Sequence, residues 1–332
     1  MTKPTIGLIY GDAAGVGPEV VAKSLANNEI VESATWVLIG DERIFNRGAS
    51  TAGLELNYQK VEDIEDVNPE EASIWLIDTK NTDPAEIEMG VLSEKSGKAA
   101  GDNLVYALEL AKKEKIDGLS YGPMNKSALY QGGYAFKDDI HLVASVFGLE
   151  SGFMEVNVMD GVWFTRVTSH IPLKEVAENI TKENVLNSIL FADKIVSKAG
   201  IEPKIAIAGL NPHAGDNGLL GDEENEIISP AVEEAKSQGV NAHGPFPADT
   251  IFLRLKKDNY NCLLGMYHDQ AQIGMKTLGF NKGVTISGGL PIVITTPAHG
   301  TAFDIAGKNI VDPSAFEEAL KLGIKLINNG YK

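Results

Sequence analysis

Cysteine is almost absent. Cys262 is the only one in 332 residues, so no disulfide can form within a chain and the fold must be held by its cores. That thiol lies inside an apolar run and reads as core filling. Long hydrophobic stretches are missing too: runs such as 6–10 and 263–267 fall far short of the roughly 18 residues that a membrane-spanning helix needs. The N-terminus shows no basic start followed by an apolar signal segment, so a soluble, cytoplasmic protein with no membrane partner is expected. Positive charge is in deficit, with 29 Lys and Arg against 46 Asp and Glu and a net charge of −17. A broad nucleic-acid surface needs basic patches, so nucleic acid is excluded as a partner and the acidity is assigned to solubility. No internal repeat, low-complexity tract or long linker interrupts the chain.

What is present is regular alternation. The length suggests two domains, and 43% hydrophobic residues can fill two cores. Short apolar runs at 6–11, 35–40, 73–79, 118–121, 205–210 and 263–267 read as buried strands. Helical spacing predicts helices over 97–113, over 182–199 after a Thr181 cap, over 223–238, over 251–256, and from Pro313 to about residue 328. This pattern predicts an α/β fold with mostly parallel sheets flanked by helices and ligands at strand carboxyl ends. Asp160 and Gly161 between two strand-like runs predict a hairpin, read as an arm for subunit pairing or as an antiparallel edge within a domain. The loop at 11–19 has the spacing GxxxGxG, which does not meet the dinucleotide fingerprint GxGxxG.

Chemistry-bearing residues gather at strand ends, above all in the stretch 265–308. His170, His213 and His268 each follow an apolar run and stand beside Pro, Gly or Asp. Neutral imidazole is a common ligand for zinc and similar ions, and three protein ligands with an open position make a catalytic arrangement. Spacings of 43 and 55 residues form no local motif, so from spacing alone each histidine reads as a hydrogen-bonded loop residue ahead of a metal ligand. Lys126 beside Asn125 leaves a strand end, where a site role and a solvated side chain are both open.

Seven motifs extend the reading: GDAAGVGPE (11–19), PMNKSAL (123–129), HIPL (170–173), GLNPHAGDNGLLGDEE (209–224), GPFPADTIF (244–252), YHDQ (267–270) and HGTAFDIAG (299–307). In order and across nearly the whole chain, they resemble the 4-hydroxythreonine-4-phosphate dehydrogenase family of pyridoxal phosphate biosynthesis. The last motif also resembles the adenosine loop of isocitrate and isopropylmalate dehydrogenases, which implies their two-domain fold. On this basis 1–130 with 297–332 would form one domain carrying the cofactor loop, and 131–296 a second with the dimer arm and metal ligands. The resemblance implies NAD-dependent oxidation and decarboxylation of a β-hydroxy acid, with NADP as the other cofactor option, in a homodimer with a shared active site. It implies that His170, His213 and His268 bind a divalent metal, Zn, Mg, Co or Mn, with both subunits contributing. Lys126, Asp249 and Asp269 would polarise substrate, orient ligands or move protons, and His299, Gly300, Thr301, Ala302 and Asp304 would hold the adenosine.

The substrate positions depart from the family pattern. His141 and Lys276 match substrate-binding residues, whereas Leu142 stands for a threonine, Thr285 for an asparagine, Ile294 for an arginine, and Asp222 for a typical arginine. A phosphate without its bidentate arginine loses about 1.5–3 kcal/mol per charged hydrogen bond. The hydroxy-acid substrate is therefore the phosphoester, a sugar-acid phosphate, or a carboxylated compound such as a cyclic cis-diol. A fold-related acyl- or phosphotransferase and a non-catalytic binding protein are the readings from other classes.

Overall fold

Residues 3–279 and 282–331 are described in a computed structural model of the chain. Among them are twelve strands: β1 (Thr5–Ile9), β2 (Thr35–Gly40), β3 (Gln59–Val61), β4 (Ile74–Asp78), β5 (Gly118–Tyr121), β6 (Met154–Met159), β7 (Val162–Arg166), β8 (Ile205–Ala208), β9 (Ala242–Phe246), β10 (Cys262–Gly265), β11 (Val284–Gly288) and β12 (Val293–Pro297). The chain divides into two units. A terminal unit runs to Glu155 and resumes at Val284, and an inner unit spans Val156–Gly283. Segments 131–155 and 284–296, assigned from the sequence to the second domain, therefore pack with the terminal unit. The physical reason is shared burial: Ile140, Val143, Leu290 and Ile294 join the same apolar cluster as Leu104 and Leu119.

In the terminal unit the strand order is β3-β4-β2-β1-β5-β12-β11, parallel throughout except for β11 against β12. Strand β2 shows why both faces need cover, since all six of its residues are buried. Trp36 and Leu38 enter one cluster with Phe45, Phe316 and Leu320, while Val37 and Ile39 enter another with Trp75, Leu104 and Leu108. Period-2 alternation thus feeds two cores on opposite faces. Helices Ser314–Asn328 and Glu94–Lys112 supply Phe316, Leu320, Leu104 and Leu108 to them, each buried side chain stabilising by about 1.5–3 kcal/mol.

The inner unit orders its strands β6-β7-β10-β8-β9. Strand β10 runs parallel to both β7 and β8, and β8 parallel to β9. The hairpin forms as predicted, with φ of 46° at Asp160 and 78° at Gly161, the left-handed pair that a two-residue turn requires. It is not a projecting arm. Strand β7 lies between β6 and β10, so Trp163 and Phe164 are buried inside the sheet.

Several elements differ from expectation. The helix predicted over 223–238 opens with a π-helical turn, Glu224–Ile228, before Ser229–Ser237. The segment after His268, unassigned in the sequence reading, is a helix, His268–Gly279. No helix among the described residues is long and apolar enough to cross a membrane.

Candidate active site

In the terminal unit β1, β5 and β12 are parallel neighbours, so their carboxyl ends deliver the loops at 11–17, 122–126 and 298–304 side by side. Main-chain hydrogen bonds join these loops. Val16 N donates to the Thr301 carbonyl at 3.0 Å and Asp12 N to that of Pro123 at 3.0 Å, and from outside the three loops Gly90 N donates to the Ala14 carbonyl at 2.8 Å. A Cβ on Gly15 would stand 2.9 Å from the Thr301 oxygen, so only glycine lets the two loops meet. Arg47 adds a side-chain tie, donating to the carbonyls of Ala13 at 2.8 Å and Ile87 at 3.0 Å.

Asp12 is the hub of this arrangement. Only 1% exposed, it accepts from Ala14 N at 2.9 Å and in a short contact from the Ser96 hydroxyl, while its Oδ2 has no hydrogen-bond partner among the described residues. Burial pushes its carboxyl above the usual value. Within the expected cofactor residues, Thr301 is buried, Ala302 is left-handed at φ 44°, and Gly300 and Asp304 are exposed. His299 directs Nδ1 at the Gly300 carbonyl, 3.0 Å away, and its buried Nε2 has no hydrogen-bond partner among the described residues.

Next to this, Asn125 caps the helix Lys126–Gln131 by accepting from Ala128 N at 3.0 Å, and Lys126 is exposed in its first turn. Gly97 lets that helix approach, since a Cβ there would lie 1.9 Å from the Ala128 carbonyl. Helix Asp139–Val146 begins at the N-cap Asp138, whose Oδ1 accepts from His141 N at 3.1 Å and makes a short contact with His141 Nδ1. Asp139 accepts from the Tyr121 hydroxyl at 2.7 Å. Burial raises the Asp139 carboxyl, opposed by the Tyr121 hydrogen bond and by Lys126, and burial raises the Tyr121 phenol far above its usual value. Leu142 (3% exposed) and Ile294 (0%) belong to the apolar core and offer no polar atom, while Thr285 is half-buried on β11 opposite Thr296.

In the inner unit parallel β7, β8 and β10 present the loops of His170, His213 and His268 at one end of the sheet. The His170 and His268 rings lie 5.4 Å apart in a cleft of about 430 Å³ that also includes Tyr267 and Asp269. His268 Nδ1 is 2.7 Å from Asp269 Oδ1, which orients the ring and leaves Nε2 for a ligand. The His213 loop is unusual: 213–217 all have left-handed φ, between 43° and 79°, four of them without being glycine. Such backbone costs about 1–2 kcal/mol per residue and needs support. Buried Glu224 provides it, accepting from Leu210 N and Asn211 N at 2.7 Å each and from Asn211 Nδ2 at 3.0 Å. His213 is exposed on this loop, as are Asp249 before helix Ile251–Lys257 and Lys276 on His268–Gly279. Among the described residues no three His, Cys, Asp or Glu side chains of one chain are placed to hold a metal.

Four supporting residues escaped the sequence reading. Besides Asp12 and Glu224, Gln270 links two histidine loops, accepting from Met266 N at 2.7 Å and donating to the Gly209 carbonyl at 2.9 Å. Arg166, 1% exposed, donates to Asn157 Oδ1 at 2.8 Å and Ser169 Oγ at 3.0 Å, beneath the His170 loop. Their signal was present, since Asp12, Glu224 and Gln270 lie within the quoted motifs, but a carboxylate or amide in a loop does not reveal whether it faces ligand or backbone.

The family described as "Pyridoxal phosphate biosynthetic protein PdxA" matches residues 32–323. A protein of Rhizobium meliloti, "Putative 4-hydroxythreonine-4-phosphate dehydrogenase 2", is 45% identical over 98% of this chain and 93% of its own length. A "Putative D-threonate 4-phosphate dehydrogenase" of Oceanobacillus iheyensis is 40% identical over 98% of each. The crystal structure of a 4-hydroxythreonine-4-phosphate dehydrogenase from Burkholderia phymatum superimposes with a TM-score of 0.80 at 37% identity, covering 98% of this chain and 99% of the other.

Proposed function

The chain belongs to the PdxA family, and from that membership we propose that it is an NAD-dependent, metal-assisted dehydrogenase acting on a phosphorylated hydroxy acid and releasing carbon dioxide from the β-keto acid formed. The single observation that carries the reading is the meeting of His170 and His268 at one cleft, with Asp269 on the second ring. Neutral nitrogen donors oriented by a carboxylate suit a divalent ion, and a set left incomplete in one chain fits completion by His213 and a second copy in a homodimer. When bound, the ion supplies Lewis-acid stabilisation of negative oxygen and the nicotinamide accepts hydride.

The remaining roles fall to the chain itself. The loops at 11–17 and 299–304 hold the dinucleotide, with Gly15 and Thr301 setting the backbone approach. His141 binds substrate, Lys276 meets its phosphate, and Lys126, Asp249 and Asp269 take up or return protons at the hydroxyl and the carbon left by decarboxylation. Because Leu142 and Ile294 sit in the core, they cannot replace the polar contacts whose place they take. The relatives' two substrate names differ at one carbon, amine against hydroxyl, and both keep the phosphate.

The test follows NADH formation by metal-loaded protein with D-threonate 4-phosphate, 4-phosphohydroxythreonine and their unphosphorylated forms, each with and without chelator. Chelator-sensitive turnover of a phosphoester is expected. Turnover that chelator leaves untouched would remove the metal from the mechanism, and turnover of the unphosphorylated compounds alone would remove Lys276 as a phosphate ligand.

A further inference from the structure

Two adjacent acids at the start of helix Asp139–Val146 are used in opposite ways. Asp139 turns to the buried Tyr121 hydroxyl at 2.7 Å. Asp138, 7% exposed, turns the other way and engages both the main-chain N and the ring Nδ1 of His141 through one oxygen. The second face of the ring is fixed by Phe153, edge-on at 5.2 Å between centroids and 87° between planes. An N-cap needs only the main-chain contact. The additional ring contact fixes more than the helix: an ionised carboxylate accepts only, so Nδ1 must carry the proton.

We propose that Asp138 is a positioning residue for the reaction, holding His141 as the Nδ1–H tautomer so that its Nε2 lone pair meets a donor on the substrate, a hydroxyl or an amine. The inference rests on the reading that His141 touches substrate. It states which end of the molecule the ring reads: the carbon bearing the hydroxyl or amine, and not the phosphate, which an acceptor nitrogen would repel. The adjoining Asp139 has around it Tyr121 on β5, Glu155 on β6, Asp138 itself and Lys126 in the first turn of helix Lys126–Gln131. Lys126 bears on Asp139, and Tyr121 occupies that carboxylate, so Asp138 remains the acid that serves His141.

The deciding measurement is independent of turnover. Long-range nitrogen–proton spectra of the full chain, with its histidines labelled by ¹⁵N and at pH 7–8, report the tautomer of each ring, and His141→Gln identifies the signal concerned. The expected result is an Nδ1–H tautomer in the wild type that shifts toward Nε2–H in Asp138→Asn, whose amide oxygen still caps the helix. A wild-type Nε2–H tautomer, a doubly protonated ring, or a tautomer unchanged in Asp138→Asn would each overturn the proposal. If it holds, kcat/KM of Asp138→Asn falls by about 10- to 100-fold, as for other groups that orient a functional imidazole. A spectrum as expected with no turnover of any phosphoester would fault the proposed reaction and leave the Asp138–His141 pair standing.

Discussion

The glycine loop of the terminal unit and the histidine loops of the inner unit are both set at the carboxyl ends of parallel strands, yet they are held differently. The first is closed on itself: Val16 N donates to the Thr301 carbonyl, Asp12 N to that of Pro123, and the buried Asp12 carboxylate is engaged by Ala14 N and the Ser96 hydroxyl. The second directs its support to the backbone and leaves the side chains proposed for chemistry outward. Glu224 and Gln270 clamp main chain, whereas His213, Asp249, Asp269 and Lys276 are exposed. A dinucleotide can be recognised by a preformed backbone surface. Metal and substrate chemistry needs free lone pairs and charges, and these stay available only if other residues carry the structure.

The largest break in this comparison is expected from His268→Ala. If the inner-unit cleft does the chemistry, turnover falls on the order of 1,000-fold, since several kcal/mol of charge stabilisation go at about 1.4 kcal/mol per factor of ten. Metal content measured on the same preparation falls with it, and a variant with normal rate and metal content would remove the cleft from the mechanism. Gly15→Ala breaks the other half. Its new Cβ must displace Thr301, and overpacking of about 1–3 kcal/mol should raise the KM for NAD about tenfold or more with metal content unchanged. Altered metal binding in that variant would show the two regions to be less independent than their hydrogen bonds imply.

The smallest effect is a pH dependence of stability, and its sign follows from Asp12. Its carboxyl is raised in the fold, so from the unfolded value near about 3.9 upward the native chain holds a proton that the unfolded chain has released. Stability from this group is complete below that value and is lost as pH rises through the folded one, at about 1.4 kcal/mol per pH unit of separation. Asp12→Asn cannot ionise and is spared this loss. Its melting temperature should gain on the wild type as pH rises above the unfolded value, and a difference that stays flat with pH would mean that Asp12 is not destabilised in the fold.

Much of the scaffold was legible because it depends on local pattern. Residues 35–40 were read as a strand at the bounds β2 has, Thr181 caps its helix as expected, and Asp160 and Gly161 make the predicted turn. The helix from His268 was missed because its apolar positions, Ala271 and Met275, are few and its outer face carries Ile273 and Leu278 in the open. The resemblance puts Ile294 and Leu142 at substrate positions, but burial in the apolar cluster beside the sheet governs where their side chains go.

The sequence by itself determined the alternation of strands and helices, the hairpin, and the delivery of three histidines and three loops to strand ends, since period, turn chemistry and strand polarity are properties of the chain. Tertiary structure decided which of those residues meet. His170 and His268 are 98 positions apart, and Asp12 bonds to Ser96 and Pro123 while Val16 bonds to Thr301, through contacts that depend only on distance in space. A carboxylate that holds backbone and one that holds a ligand look the same in one dimension, and burial in three dimensions separates Glu224 and Asp12 from Asp249 and Asp269.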